Sequence, residues 1–171
     1  EYQVGVSNAS LGLIVSTSGK ALEAKGGVYA QLGDDVGLSA ANAAILWKEG
    51  TPGLTEANKI LKVGALTYTF SDEMVGSDGI REVRISDAIL GVAGFFRAAG
   101  NFAFHQSSTT LTPSDGVDIQ ADLLTVGASD LDIFAGLNGG TANAVGLSLT
   151  GASFALALMS DRNDTERKWK A

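Results

Sequence analysis

A twelve-residue pattern recurs five times along this chain, with apolar or small residues at positions 1, 3, 6, 8, 10 and 12 and mostly polar or small ones between. The copies begin at Val4, Val36, Val83, Leu124 and Leu147; the first carries Val4, Val6, Ala9, Leu11, Leu13 and Val15, and the last Leu147, Leu149, Ala152, Phe154, Leu156 and Leu158. Within each half of the pattern the apolar period is 2, that of a strand with one buried face, whereas a helix needs spacings of 3 and 4. Between positions 3 and 6 the period slips by one residue. A straight strand would turn the second half of its apolar set to the wrong side, so the backbone must bulge or turn a corner there.

The residues at the slip suit a corner: Ser7-Asn8, Ser39-Ala40, Ser86-Asp87, Gly127-Ala128 and Thr150-Gly151 are small or polar types that hydrogen-bond or bend the local backbone. Position 6 is Ala or Ser in every copy, as a tight inner corner requires. The copies are spaced by 32, 47, 41 and 23 residues, as in repeats whose loops differ in length. Further alternating stretches, 27–32, 65–70, 101–104 and 117–121, read as additional strands, whereas 55–62 and 164–171 carry marginal helical signals. The chain is therefore expected to be all-β, a β-solenoid resembling a parallel β-helix and built from corner-turning strand pairs; the alternative is a β-sandwich with bulged strands. Phe154, beside the Ala152 corner, is expected in the core, where Phe154→Ala costs about 3 to 5 kcal/mol.

Composition narrows the function classes. Of 171 residues, 45% are hydrophobic and 18% charged, which excludes an intrinsically disordered chain. A net charge of −7 argues against nucleic acid and anionic membrane surfaces, whose recognition needs clustered Lys and Arg. No apolar run reaches the roughly 18 to 20 residues of a spanning helix, so no membrane insertion is expected. With no Cys there is no disulfide framework, thiolate zinc site or thiol nucleophile. The chain opens on Glu1 inside a strand pattern and stops beyond Trp169 without a terminating turn, so residues 1–171 are expected to form a single repeat-containing module excised from a longer tandem array.

Reactive groups are sparse. His105 is the only His and follows the Phe102, Phe104 alternation, which turns it away from the apolar face. Ser148 and Ser153 flank Gly151 without a nucleophile elbow, and the stretches 91–96 and 136–141 lack the Lys and the strand-to-helix context of a phosphate loop. The expected protein is not an enzyme and has no cofactor. Calcium is the one metal the composition leaves open, because Asp130 with Asp132, and Asp161 with Asn163 and Asp164, supply hard oxygen ligands in or near loops. Trp47 and Trp169, each beside a Lys, leave a carbohydrate- or surface-ligand-binding module as an alternative function.

Segments 94–104, 123–131 and 146–159, rich in Ala and Gly, resemble the tandem modules of giant bacterial secreted or cell-surface repeat proteins, adhesin-like or haemolysin-like. The resemblance implies a non-catalytic spacer or stalk module of an extracellular adhesin. Its partners would be neighbouring repeat modules or copies of itself, with a surface glycan as a further candidate. Calcium-binding haemolysin-type repeats often accompany such modules, and this stretch lacks them. A β-helix polysaccharide hydrolase or lyase is the least favoured reading.

Overall fold

The computed structural model describes residues 2–76, 79–112, 116, 118–139, 141–163 and the backbone of 168–170. In chain order the elements are β1 (Tyr2–Val15), β2 (Gly19–Leu32), β3 (Val36–Gly50), β4 (Ile60–Val63), β5 (Leu66–Thr69), α1 (Asp72–Gly76), β6 (Gly79–Val92), β7 (Phe96–Leu111), β8 (Ile119–Leu137), β9 (Val145–Asp161) and β10 (Lys168–Lys170). Eight of them form one sheet in the order β1-β2-β3-β6-β7-β8-β9-β10, and β4 and β5 form a separate hairpin. The sheet is open, with β1 and β9/β10 at its two edges. The all-β expectation holds.

The pairing differs from the coils expected of a parallel β-helix. Every ladder in the large sheet is antiparallel and joins strands consecutive within that sheet, a meander. The physical reason is connection length: β1 to β2, β2 to β3 and β6 to β7 are joined by loops of three residues, too short for the crossover that parallel strands need.

The slip in the apolar period corresponds to real bulges. Extra residues are inserted in β1 between Ser7 and Ser10, in β3 opposite Gly27, in β6 between Ile85 and Ala88, in β8 between Ser129 and Asp132, and in β9 between Leu149 and Ala152. These are the five strands that carry the repeated pattern, whereas β2 and β7 run through unbulged. Asn8, Asp87, Asp130 and Gly151 take left-handed backbone at the insertions, with φ of 49°, 55°, 53° and 63°. Because neighbouring strands bulge at the same height, the insertions line up into one crease that crosses the whole sheet.

Three corners lie away from their expected positions, and in β1 the insertion is Asn8-Ala9, one residue past the expected Ser7-Asn8. The insertion in β3 falls at Ala41-Asn42, and that in β8 at Asp130-Leu131 against β7 and at Ser129-Asp130 against β9, each past the expected Ser39-Ala40 and Gly127-Ala128. Ala40, Ala41, Ala43 and Ala44 are alike in size and polarity, so the apolar period alone does not locate the slip among them.

One compact core lies under the hairpin. Ala21, Leu46, Leu54, Phe70, Met74 and Ile80 are buried together, with Ile14, Ala44, Leu61, Tyr68 and Val75 packed against them. This small layer, β4, β5 and α1, covers one side of β1 to β3 and β6 at one end of the sheet. The stretch 55–62, whose helical signal is marginal and which reads better as part of a long loop, is a turn followed by β4: the Asn58 side chain accepts from Thr55 N at 2.6 Å and donates to Gly53 O at 2.6 Å, closing a loop. At the other helical signal, 168–170 is strand and 164–167 lie outside the described residues.

Candidate functional site

Antiparallel partners point to the same side of a sheet, so the register assigns each residue to a face. From Val4↔Ala30, Val28↔Ala40, Leu38↔Leu90, Ile85↔Phe102, Phe104↔Val126 and Val126↔Leu156, one face is continuously aliphatic and aromatic from edge to edge. It is largely uncovered: Val4 is 80% exposed, Leu147 82% and Phe154 49%. The buried residues on this face are the alanines at the crease, Ala40, Ala88 and Ala128, together with Leu131. Asn42, Asp87 and Asp130 on the other side of the same bend are exposed. The apolar face is thus the inside of the fold line, but of the small residues at position 6 Ala88 is buried there while Ala9, Ala41 and Ser129 are exposed, so in the second and fourth copies the inner corner is Ala40 and Ala128 instead.

Two open depressions lie along this face. One of about 610 Å³ is walled by Leu22, Ile45, Trp47, Val83, Phe104 and Leu124. The other, about 260 Å³, sits at the crease between Val6, Leu11, Ala24, Val28, Ala43 and Ile45. Trp47 is part of an aliphatic wall, and its sequence neighbour Lys48 points the opposite way. There Lys48 is buried and its Nζ donates to Met74 O at 2.9 Å and Val75 O at 3.4 Å, capping the carbonyl end of α1. The side chain of Trp169 is outside the described residues.

Lys20, Glu49, Arg81 and Asp122 stand toward one end of the apolar face, and the opposite face holds the buried and clustered charges. Glu23 is fully buried beneath the hairpin: Ser71 N donates to its Oε2 at 3.0 Å, Tyr68 Oη donates to the same oxygen at 3.2 Å, and Lys25 Nζ forms an ion pair with Oε1 at 2.9 Å. Burial pushes the Glu23 pKa up, but the hydrogen bonds of Ser71 and the cation of Lys25 outweigh it and hold the carboxyl below its ordinary value. Nearby, Arg84 grips Glu73 through Nη1 at 3.0 and 2.9 Å and also pairs with Glu82. His105 Nδ1 lies 3.4 Å from Glu82 Oε2. His105 therefore points off the apolar face, as its place in the alternation predicts, and is engaged in a surface ion cluster.

The expected calcium ligands are spread out. Asp130 Oδ2 accepts from Asn101 Nδ2 at 3.1 Å and from Ser129 Oγ at 3.2 Å, and Asp132 Oδ1 accepts from Gly151 N at 3.1 Å; both brace the crease. Asp161 is buried at the far end of β9, ten residues beyond Gly151, and accepts from Asn163 N at 2.8 Å. Asp164 lies outside the described residues. Among the described residues no three His, Cys, Asp or Glu side chains converge on a point where a metal could sit.

The glycine stretches meet each other, with Gly139 N donating to Gly94 O at 2.7 Å and Gly136 N to Phe95 O at 2.8 Å, so their amides are spent on joining two loops. Ser148 and Ser153 occupy exposed positions on β9. Among the described residues no helix is long and apolar enough to cross a membrane. Neither a protein-family model nor a curated protein nor a solved structure matches the chain.

Proposed function

We propose that this chain is a non-catalytic structural module, a spacer or stalk segment of a large extracellular adhesin-like repeat protein, completed by neighbouring units. The observation that carries the reading is the uncovered apolar face that runs across the sheet and reaches an edge strand, β1, free of charge. β1 has no charged residue between Tyr2 and Val15, and β9 has none before Asp161. Sheets that end as free edges are usually guarded by Lys, Pro or inward charges; β1 is built as an internal strand, whereas the last part of β9 is covered by β10 with its Lys168 and Lys170. An apolar face of this extent is an interaction surface. In an array the units would continue edge to edge, giving a one-dimensional, solenoid-like stack made of antiparallel ladders.

Nearest-neighbour coupling is the property that defines such a module. A fusion of two copies in tandem should unfold at a clearly higher temperature than the single chain, because each interface adds stability that an isolated unit lacks. Equal midpoints for the one-copy and two-copy proteins would remove the reading.

A further inference from the structure

The β1 edge is self-complementary. Its insertion, Asn8-Ala9, lies at the middle of the strand Tyr2–Val15, so a second β1 laid antiparallel with its crease in line pairs along the full length, the two residue numbers of every pair summing to 17. In that register Tyr2 faces Val15, Val4 faces Leu13 and Val6 faces Leu11, all on the apolar side; Gly5 faces Gly12 and Ser7 faces Ser10 on the other. Without the insertion an odd sum would set apolar residues against polar ones. The bulge shifts the alternation by one and sets apolar residues against apolar ones along the apolar side, while on the other side Gln3 faces Ile14.

The edge is also shaped to receive a backbone. A Cβ on Gly5 would collide with the ring of Tyr29, and a Cβ on Gly12 with the rings of Tyr68 and Phe70. Aromatic rings therefore cover both edge glycines from the charged side, a device that stiffens glycine in strands. Paired as above, Tyr29 of one copy comes beside Tyr68 of the second. The opposite edge lacks this symmetry: the insertion in β9 lies nearer one end of Val145–Asp161, and Leu158 to Ser160 are already paired with β10.

We infer that β1 is a homotypic docking edge, where two copies of this chain join their first strands antiparallel about a two-fold axis at Asn8-Ala9, continuing the creased sheet and its apolar face from one copy into the other. The inference deepens the structural-module reading and rests on it, naming the partner as a second copy and the contact as isologous, which closes at two chains.

The chain has no Cys, so one introduced thiol reports one position. Ser7 and Ser10 are both exposed. In the inferred register they face each other with Cβ atoms about 4.5–5.5 Å apart, within reach of a disulfide, whereas Ser7 lies about three residues, or roughly 10 Å, from the Ser7 of the second copy. An equimolar mixture of Ser7→Cys and Ser10→Cys chains, oxidised gently, should give a disulfide-linked dimer that neither variant gives alone. The unmodified chain should sediment as a concentration-dependent dimer. A monomer at all concentrations, or cross-linking that is equal in the mixture and in the single variants, would overturn the β1 contact. The tandem-fusion test reads separately: coupling in the fusion without Ser7–Ser10 cross-linking leaves the module reading and removes the homotypic edge, and cross-linking without coupling does the reverse.

Discussion

Tyr68 reaches from the small hairpin into the large sheet and places its hydroxyl 3.2 Å from both Oε2 and the backbone carbonyl of Glu23. Burial, with the Glu23 charge beside it, pushes the phenol pKa up, so the tyrosine stays a donor through neutral and moderately alkaline pH. The pair ties two layers together through a carboxylate that accepts these hydrogen bonds more strongly when ionised.

A carboxyl held below its ordinary pKa stabilises the fold above that ordinary value and loses the contribution as pH falls through the folded-state value. Glu23 is such a group, with an ordinary value of 4.5, and Asp72, Glu82 and Asp122 are shifted in the same direction. Stability should therefore be flat near neutral pH and fall progressively below about pH 4.5. Glu23→Gln should cost about 1–3 kcal/mol at pH 7 and progressively less in acid. Urea unfolding of both proteins at pH 7 and pH 3 measures this; a gap as wide at pH 3 as at pH 7 would contradict it.

Leu46 and Phe154 lie in opposite situations despite similar apolarity. Leu46 is 2% exposed in the core beneath the hairpin, so Leu46→Ala should cost about 2–5 kcal/mol. Phe154 stands half out of the uncovered face, and the 3 to 5 kcal/mol expected of a core phenylalanine gives way to about 1–2 kcal/mol in the isolated chain. Chemical denaturation of both variants decides; a larger loss at Phe154 than at Leu46 would place the core elsewhere.

The left-handed residues of the crease respond to substitution by shape. Asp87, at φ 55° and exposed, should tolerate Asp87→Gly with little change, whereas Asp87→Val, a β-branched residue in that conformation, should lose about 1–2 kcal/mol. Thermal melts of the two variants compare them directly, and equal midpoints would mean the bend does not depend on this backbone.

Calcium should find no site at the crease carboxylates Asp130 and Asp132. Asp130 and Asp132 are engaged with Asn101, Ser129 and Gly151, and Asp161 sits at a distant strand end, so no shared coordination sphere forms around them. The melting midpoint in excess calcium should equal that in chelator; a clear rise would show a specific native-state site.

Much of the sheet was legible in the chain because a slip in a period of 2 has only one economical backbone solution. Val83 to Val92, with Ser86-Asp87 at the slip, became a strand bulged where expected, and so did the fifth copy, while the first bulged one residue later. Pairing was harder, because alternation says which side is apolar and nothing about whether a coil, a second sheet or solvent lies over it. Hairpin-length loops such as Gly33-Asp34-Asp35 were the available sign of antiparallel order. The buried Glu23 and Lys48 left no signal, since each looks like an ordinary solvent-side charge until β4, β5 and α1 fold over it. Asp130 and Asp132 read as ligands for the same reason: a carboxylate that braces a backbone bend and one that awaits an ion are the same letter.

The meander order has a mechanical corollary. Strands of the large sheet are bonded only to those beside them in that sheet's order, so tension on the two ends of the chain, directed across the strands, peels the ladders one at a time from whichever edge is weaker. Such a sheet lengthens in hairpin-sized steps and reforms by local zipping, behaving as a compliant tether and not as a rigid rod.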